Sequence, residues 1–184
     1  FQNAPIVFCG VNRFDNEMLA EHPNVTGVLE HGDFDSTLGI AMRLLPATKT
    51  VYVICDSTAT GRINRLNFDA ATRRLYPELR VEYLSDLSLA ELAARLAALP
   101  SHSFAFFISF WQDGNGTSVS PNKLAPVFQG SRVPIFGRPE WMIGRGLVGG
   151  KCVSGKQQGA TAANLAAKIL DGTPVSQLPI VRHS

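Results

Sequence analysis

Short apolar runs rich in Val, Ile and Phe alternate along the chain with stretches of helical periodicity. Residues 6–11 (IVFCGV) form a continuous apolar run bounded by Pro5 and Asn12, and residues 26–30 give a shorter extended piece. Residues 50–56 (TVYVICD), 80–84, 104–110 (FAFFISF), 133–137 and the glycine-rich 147–153 are read as further strands. Between them, Leu38, Ala41, Met42 and Leu45 recur at helical spacing, with Asp33 or Asp35 as cap and Pro46 as stop. A helix after residue 56 is expected to bury Ile63, Leu66, Ala70 and Leu75 on one face. Ser88 and Glu91 make a capping box, in which each side chain satisfies a free amide at the helix start. Leu89, Leu92, Leu96 and Leu99 continue it as a buried stripe ended by Pro100. Ser120-Pro121 begins a short helix. Ser154 caps a last one, whose Ala160, Ala163 and Ala166 suit close packing and which ends at Gly172.

Strands that are apolar throughout and alternate with helices predict parallel pairing with helices on both faces. The fold class is therefore α/β. In such sheets ligands collect at the carboxyl ends of strands, where loops run into helix amino termini. Those loops hold Asn12 and Arg13; Asp56, Ser57, Thr58 and Gly61; Trp111, Gln112 and Asp113; and Arg138, Glu140 and Trp141. Each has a plainer reading. Asp56, Ser57 and Thr58 are common cap residues. Either tryptophan can be core, and Arg138 can pair with Glu140 across its loop. Two tryptophans placed together in strand-end loops favour a stacking surface, since Trp can cover a ligand and still use its N–H. Arg138 suits a bidentate grip on a carboxylate.

Composition narrows the chemistry. The 184 residues carry 17 basic and 15 acidic side chains, a net charge of +2, with no basic run to track a phosphate backbone; nucleic acid is not expected as a partner. A 45% hydrophobic and 17% charged composition excludes a disordered chain. Cys9, Cys55 and Cys152 lie far apart without a CxxC spacing, and His22, His31, His102 and His183 form no ligand pair. Three buried thiols are expected, with no metal and no cofactor. No run approaches the roughly 18 apolar residues that span a bilayer. The start at Phe1, close to a strand, reads as a piece of something longer. Residues 150–157 fit GxxxxGK between a strand and a helix, but Gln157 stands where a phosphate loop needs Ser or Thr for magnesium. GxSxG, HExxH and an early GxGxxG are all missing, so no enzyme is predicted. Asn24-Val25-Thr26 and Asn115-Gly116-Thr117 match the glycosylation triplet only by pattern.

Taken in order, PIVFCGVN, Asn24-Val25-Thr26-Gly27-Val28 and Leu44-Leu45-Pro46 before TVYVICD resemble the ABC-transporter substrate-binding-protein family of the type I periplasmic-binding fold. Residues 133–137 (VPIFG), 146–150 (GLVGG), 166–172 (AAKILDG) and Leu178-Pro179-Ile180 continue the likeness to the end. The segment GRPEWMIGRGLVGGK looks most like extracytoplasmic sensor regions of bacterial histidine kinases and diguanylate cyclases.

The resemblance implies two three-layer parallel-sheet lobes around a ligand cleft, the first lobe incomplete. Residues 1–29 and 131–184 would belong to the first lobe and residues 30–130 to the second. Asn12, Ser57, Thr58, Trp111, Gln112, Arg138 and Trp141 would then face the cleft and hold an amino-acid-like ligand or small carboxylate. A periplasmic sensor domain is the first expectation, joined to the inner membrane only through segments outside this chain. A transport receptor is the alternative. A homodimer is a further expectation.

Overall fold

The computed structural model describes residues 4–11, 22–30 and 33–182. Contacts divide the chain into two units, one of residues 33–152 and one of residues 1–32 with 153–184.

The larger unit is built on a parallel five-stranded sheet in the order β4-β3-β5-β6-β7. Its strands are β3 (Thr50–Cys55), β4 (Arg80–Leu84), β5 (Ser103–Ser109), β6 (Ile135–Gly137) and β7 (Leu147–Gly149). Helices α1 (Phe34–Leu44) and α2 (Ala59–Leu75) supply one face, and α3 (Leu89–Ala97) with α4 (Pro121–Gln129) the other.

The three layers follow from side-chain alternation in strands apolar on both sides. Along β3 and β5, Val51, Val53, Cys55, Phe104, Phe106 and Ile108 join the core beneath α1 and α2. Tyr52, Ile54, Ala105 and Phe107 join the other core with Leu92 and Leu96 of α3 and Leu124 and Phe128 of α4. All seven residues of β5, the central strand, are buried. The expected capping box is formed: Ser88 N–H donates to Glu91 Oε2 at 2.8 Å and Glu91 N–H to Ser88 Oγ at 3.3 Å.

The smaller unit pairs β1 (Ile6–Val11) with β2 (Val25–Leu29) in parallel. Val28, Leu178 and Leu165 of α5 (Gly155–Leu170) form its core, with Val7 and Val181 against them. Thr26, fully buried, donates its hydroxyl to Leu178 O at 2.9 Å. The register of β1 slips between Cys9 and Val11, where Gly10 takes φ +74°, a left-handed conformation that costs glycine nothing.

Several expectations are corrected. Residues 135–137 and 147–149 extend the larger unit's sheet, through Ala105↔Ile135, Phe106↔Phe136 and Ile135↔Leu147, so that unit reaches residue 152 rather than 130. An apolar strand carries no mark of which sheet it joins. The last strand also stops at Gly149. Ile63, Leu66, Ala70 and Leu75 are exposed, and α2 packs through Gly61, Phe68, Ala71 and Thr72 instead. Ala160 and Ala163 of α5 are exposed as well; Gln158, Ala162, Leu165 and Ile169 face inward. Cys9 is exposed and Cys152 half-buried, leaving Cys55 as the one buried thiol among the three.

Asp33, not Asp35, caps α1: its carboxylate accepts from Ser36 N–H at 2.9 Å, Ser36 Oγ–H at 2.7 Å and Lys151 Nζ at 2.7 Å. Burial alone would raise its pKa, but the bonds from Lys151 and Ser36 outweigh it and hold the group at about 2 against the usual 3.8. A carboxylate with a depressed folded pKa contributes stability that is present above the unfolded value and lost as pH falls through the folded one. The melting temperature should therefore fall between about pH 4 and pH 2, and less steeply in Asp33→Asn. Parallel melting curves for the two proteins across that window would refute the assignment.

Candidate functional site

The carboxyl ends of β3, β5 and β6 in the larger unit carry three of the loops singled out in the sequence. Immediately after β3, Asp56 is 4% exposed and its backbone N–H donates to Ser109 O at 3.1 Å. Thr58 is the N-cap of α2: its hydroxyl oxygen accepts from Gly61 N–H at 3.1 Å while its O–H donates to Asp56 Oδ1 at 2.6 Å. Ser57, exposed at the same turn, donates its hydroxyl to Asp86 Oδ1, and its carbonyl accepts from Arg62. The plain capping role thus holds for Thr58, whose hydroxyl is engaged on both sides.

Asp86, in the loop after β4, has φ +56°, the one non-glycine residue described in a left-handed conformation. Its neighbour Leu87 accepts from Gly114 N–H at 2.8 Å, and a Cβ on Gly114 would lie 2.3 Å from Asp86 O. Glycine at 114 is what lets the loop after β5 lie directly on the loop after β4.

That β5 loop is internally tied. Asp113 accepts from Asn115 N–H at 3.0 Å and Thr117 N–H at 2.8 Å, and Gln112 Nε2 donates to Gly116 O at 2.9 Å. Gln112, expected to bond a ligand's polar edge, is in this state turned onto its own loop.

Trp111 and Trp141 come together. Their ring centres are 5.3 Å apart at an interplanar angle of 40°, and they remain 48% and 38% exposed. Trp141 is carried on a short 3₁₀ turn (Glu140–Met142) after β6 and packs edge-on against Phe107, with centres 6.3 Å apart. The pair is therefore neither core nor a slot: 5.3 Å leaves no room for a ring between them, and the outer faces form one aromatic surface.

Arg138 lies apart from this surface in character. It is 6% exposed, with its guanidinium carbon 4.4 Å from the centre of the Phe34 ring on the α1 side of the sheet. An open bidentate fork for a carboxylate is not what the side chain presents. Asn12 falls outside the described residues.

Two residues escaped the sequence reading as more than cap or loop. Asp86 has no signal beyond being an acid near a strand end. Asp56 stood in plain view at the end of TVYVICD, but its reach across the sheet is a contact between distant segments. Beside it, burial pushes the Cys55 thiol up to about 11, so that sulfur is a packed group rather than a nucleophile.

A family model described as ABC transporter substrate binding protein matches residues 1–184. No curated protein matches the chain. Several solved structures share its fold. The ABC domain from Streptococcus pneumoniae in complex with L-Trp matches with a TM-score of 0.67 and 18% identity, over 98% of this chain and 61% of that one. A conserved domain protein from Vibrio cholerae O1 biovar El Tor gives 0.64 and 18%, with the same coverage of each chain. The ligand-free, open structure of a substrate binding protein with adhesive properties from Clostridium difficile gives 0.63 and 16%, over 97% of this chain and 61% of that one. The chain thus spans about three-fifths of the length of these structures.

Proposed function

We propose, for a chain that belongs to the ABC transporter substrate binding protein family, that it is part of a solute receptor delivering a small amino-acid-like ligand to an ABC permease. Proteins of such a family bind their ligand and do not transform it, in keeping with a site built of aromatic faces and capped helix ends. The observation that carries the ligand reading is the Trp111–Trp141 pair, held exposed on loops tied to the sheet. The relative bound to L-Trp supports an amino acid or a ligand of similar size and polarity.

In this reading the ligand's flat or apolar part lies on the outer face of the tryptophan pair. Ser57, Thr58 and the first turn of α2 form the polar side, where helix amides favour a carboxylate. Gln112 and Asn12 supply further polar contacts, Gln112 after release from Gly116. Arg138 contributes positive charge from beneath the strand ends rather than a direct grip.

Of the two readings that the resemblance allowed, the transport receptor has the support of the family's description and of a substrate binding protein among the structural relatives. The sensory reading has no comparable support. The receptor would work outside the inner membrane; no helix among the described residues is long and apolar enough to cross one. Permease genes beside this one would support transport. A transmembrane segment followed by a kinase or cyclase in the same gene would return the reading to a sensor.

The ligand site itself is tested by thermal-shift measurements with the twenty amino acids, followed by calorimetry on those that raise the melting temperature. Trp111→Ala and Trp141→Ala should each abolish the ligand-dependent rise while leaving the unliganded protein folded, because both rings are half in solvent. Retention of the full rise by both variants would remove the site from this face.

A further inference from the structure

We infer that Asp56 is the positioning residue of the candidate site, fixing the tryptophan surface to the start of α2 without touching the ligand. The inference rests on the ligand-binding reading for its consequence, but the geometry stands apart from it. Asp56 places one carboxylate oxygen on each side of the site. Oδ1 accepts from Thr58 N–H at 3.2 Å and Thr58 Oγ–H at 2.6 Å. Oδ2 accepts from Trp111 N–H at 2.7 Å, across 55 residues of sequence.

A simple capping role does not account for this. The N-cap of α2 is Thr58, and Thr58's own hydroxyl takes the first-turn amide of Gly61. The second oxygen of Asp56 is free to serve a different loop, and it does so from a nearly dry position, where a hydrogen bond to a charged acceptor is short and strong. The bond holds the backbone at Trp111, and so the ring that packs 5.3 Å from Trp141. Trp141 is held separately, by Phe107 and its 3₁₀ turn. Trp111 O also accepts from Val119 N–H at 2.9 Å within its own loop, so the Asp56 bond is what ties that loop, and with it the aromatic surface, to the start of α2.

The discriminating substitution is Asp56→Asn. It keeps size and shape but leaves one acceptor oxygen where three donors need two. If that oxygen stays with Thr58, an NH2 group meets Trp111 N–H. The readout is the exciton couplet that two closely packed indoles give in circular dichroism, assigned through its loss in Trp141→Phe. Asp56→Asn should reduce the couplet by more than half with cooperative melting retained. Thr58→Val removes the hydroxyl from the other oxygen and should lower the melting temperature while keeping the couplet.

An undiminished couplet in Asp56→Asn would overturn the inference. If that variant does not fold, hydrogen exchange on the wild-type chain decides instead. The Trp111 amide should be as protected as the amides of β5, and exchange at the rate of an exposed loop would overturn the inference. Calorimetry with L-tryptophan as the probe adds the functional arm: affinity should fall about tenfold in Asp56→Asn. If wild type does not bind L-tryptophan while the couplet is lost as expected, it is the ligand class that fails, and the clamp stands.

Discussion

Phe106→Ala should lower the stability of the unit formed by residues 33–152 by about 4 kcal/mol, the middle of the range for a fully buried ring cut to a methyl. The side chain is completely inaccessible, at the middle of the central strand. Its ring centre lies 4.7 Å from that of Phe68 on α2 and 6.0 Å from that of Phe34 on α1. Phe34 and Phe68 in turn meet edge to face at 5.7 Å. The three rings join both helices of one layer to the sheet, so the loss combines transfer of the ring to water, the aromatic contacts and a cavity.

Little collapse is available to fill that cavity, because Val53 and Phe136 on the adjoining strands are paired in register with the same residue. Urea unfolding should show the midpoint falling with the slope unchanged, and the melting temperature should drop by roughly 10 °C. A loss below about 1.5 kcal/mol, the size of a modest methylene deletion, would mean that the layer repacks. Arg138 provides a second sign of the change. Its guanidinium sits over Phe34, so a shifted Phe34 alters the cation's seat at the end of β6.

The same ring cluster explains what the amino-acid pattern could and could not foretell. Strand identity was legible because burial on both faces leaves few alternatives to runs such as FAFFISF, and parallel pairing follows from the helices between them. Helix phase was not. In α2, Ile63, Leu66 and Ala70 repeat as regularly as Phe68, Ala71 and Thr72, and Ile63 and Leu66 are the more apolar choice. The decision lies in shape: only Phe68 fills the space between Phe34 and Phe106, and Thr72 satisfies its buried hydroxyl by donating to Phe68 O at 2.9 Å. The apolar stripe is left facing out, with Leu66 at 69% exposure.

The candidate site divides in a similar way. Trp111 and Trp141 could be found because strand-end loops are few and indoles within them are conspicuous. Their mutual contact, the burial of Arg138 and the role of Asp56 each depend on which strands are neighbours. The order β4-β3-β5-β6-β7 puts β3 beside β5, and that adjacency alone brings Asp56 to Trp111. A residue that looks like one of three interchangeable caps in DSTATG is singled out by topology.

Gly61→Ala should be as damaging to the site as Phe106→Ala is to the core, although propensity argues the other way. An alanine inside a helix is favoured over glycine by about 1 kcal/mol. Gly159→Ala in α5, where a new Cβ meets nothing within 4 Å, should show that gain as a small rise in stability. At Gly61 the same methyl would lie 2.2 Å from the backbone oxygen of Asp56 and 2.5 Å from its Oδ1. The backbone oxygen cannot rotate out of the way, because Asp56 N–H is bonded to Ser109 O and its carboxylate to Trp111.

Relief therefore requires the first turn of α2 to move off the strand end. That movement stretches the Thr58 cap and the Asp56 bonds together, a strain in the range of about 1–3 kcal/mol for overpacked sites. With a backbone contact of 2.2 Å the strain falls at the upper end of that range, and after subtraction of the propensity gain of about 1 kcal/mol the net effect should be destabilising by about 2 kcal/mol. It should also weaken the Trp111–Trp141 couplet and any ligand-dependent rise in melting temperature. The two glycines thus have opposite signs under one substitution, and the sign is decided by a carbonyl oxygen rather than by helix propensity. A stabilised Gly61→Ala protein with an intact couplet would show that the start of α2 is loosely held, and the account of Asp56 as a rigid clamp would fall with it.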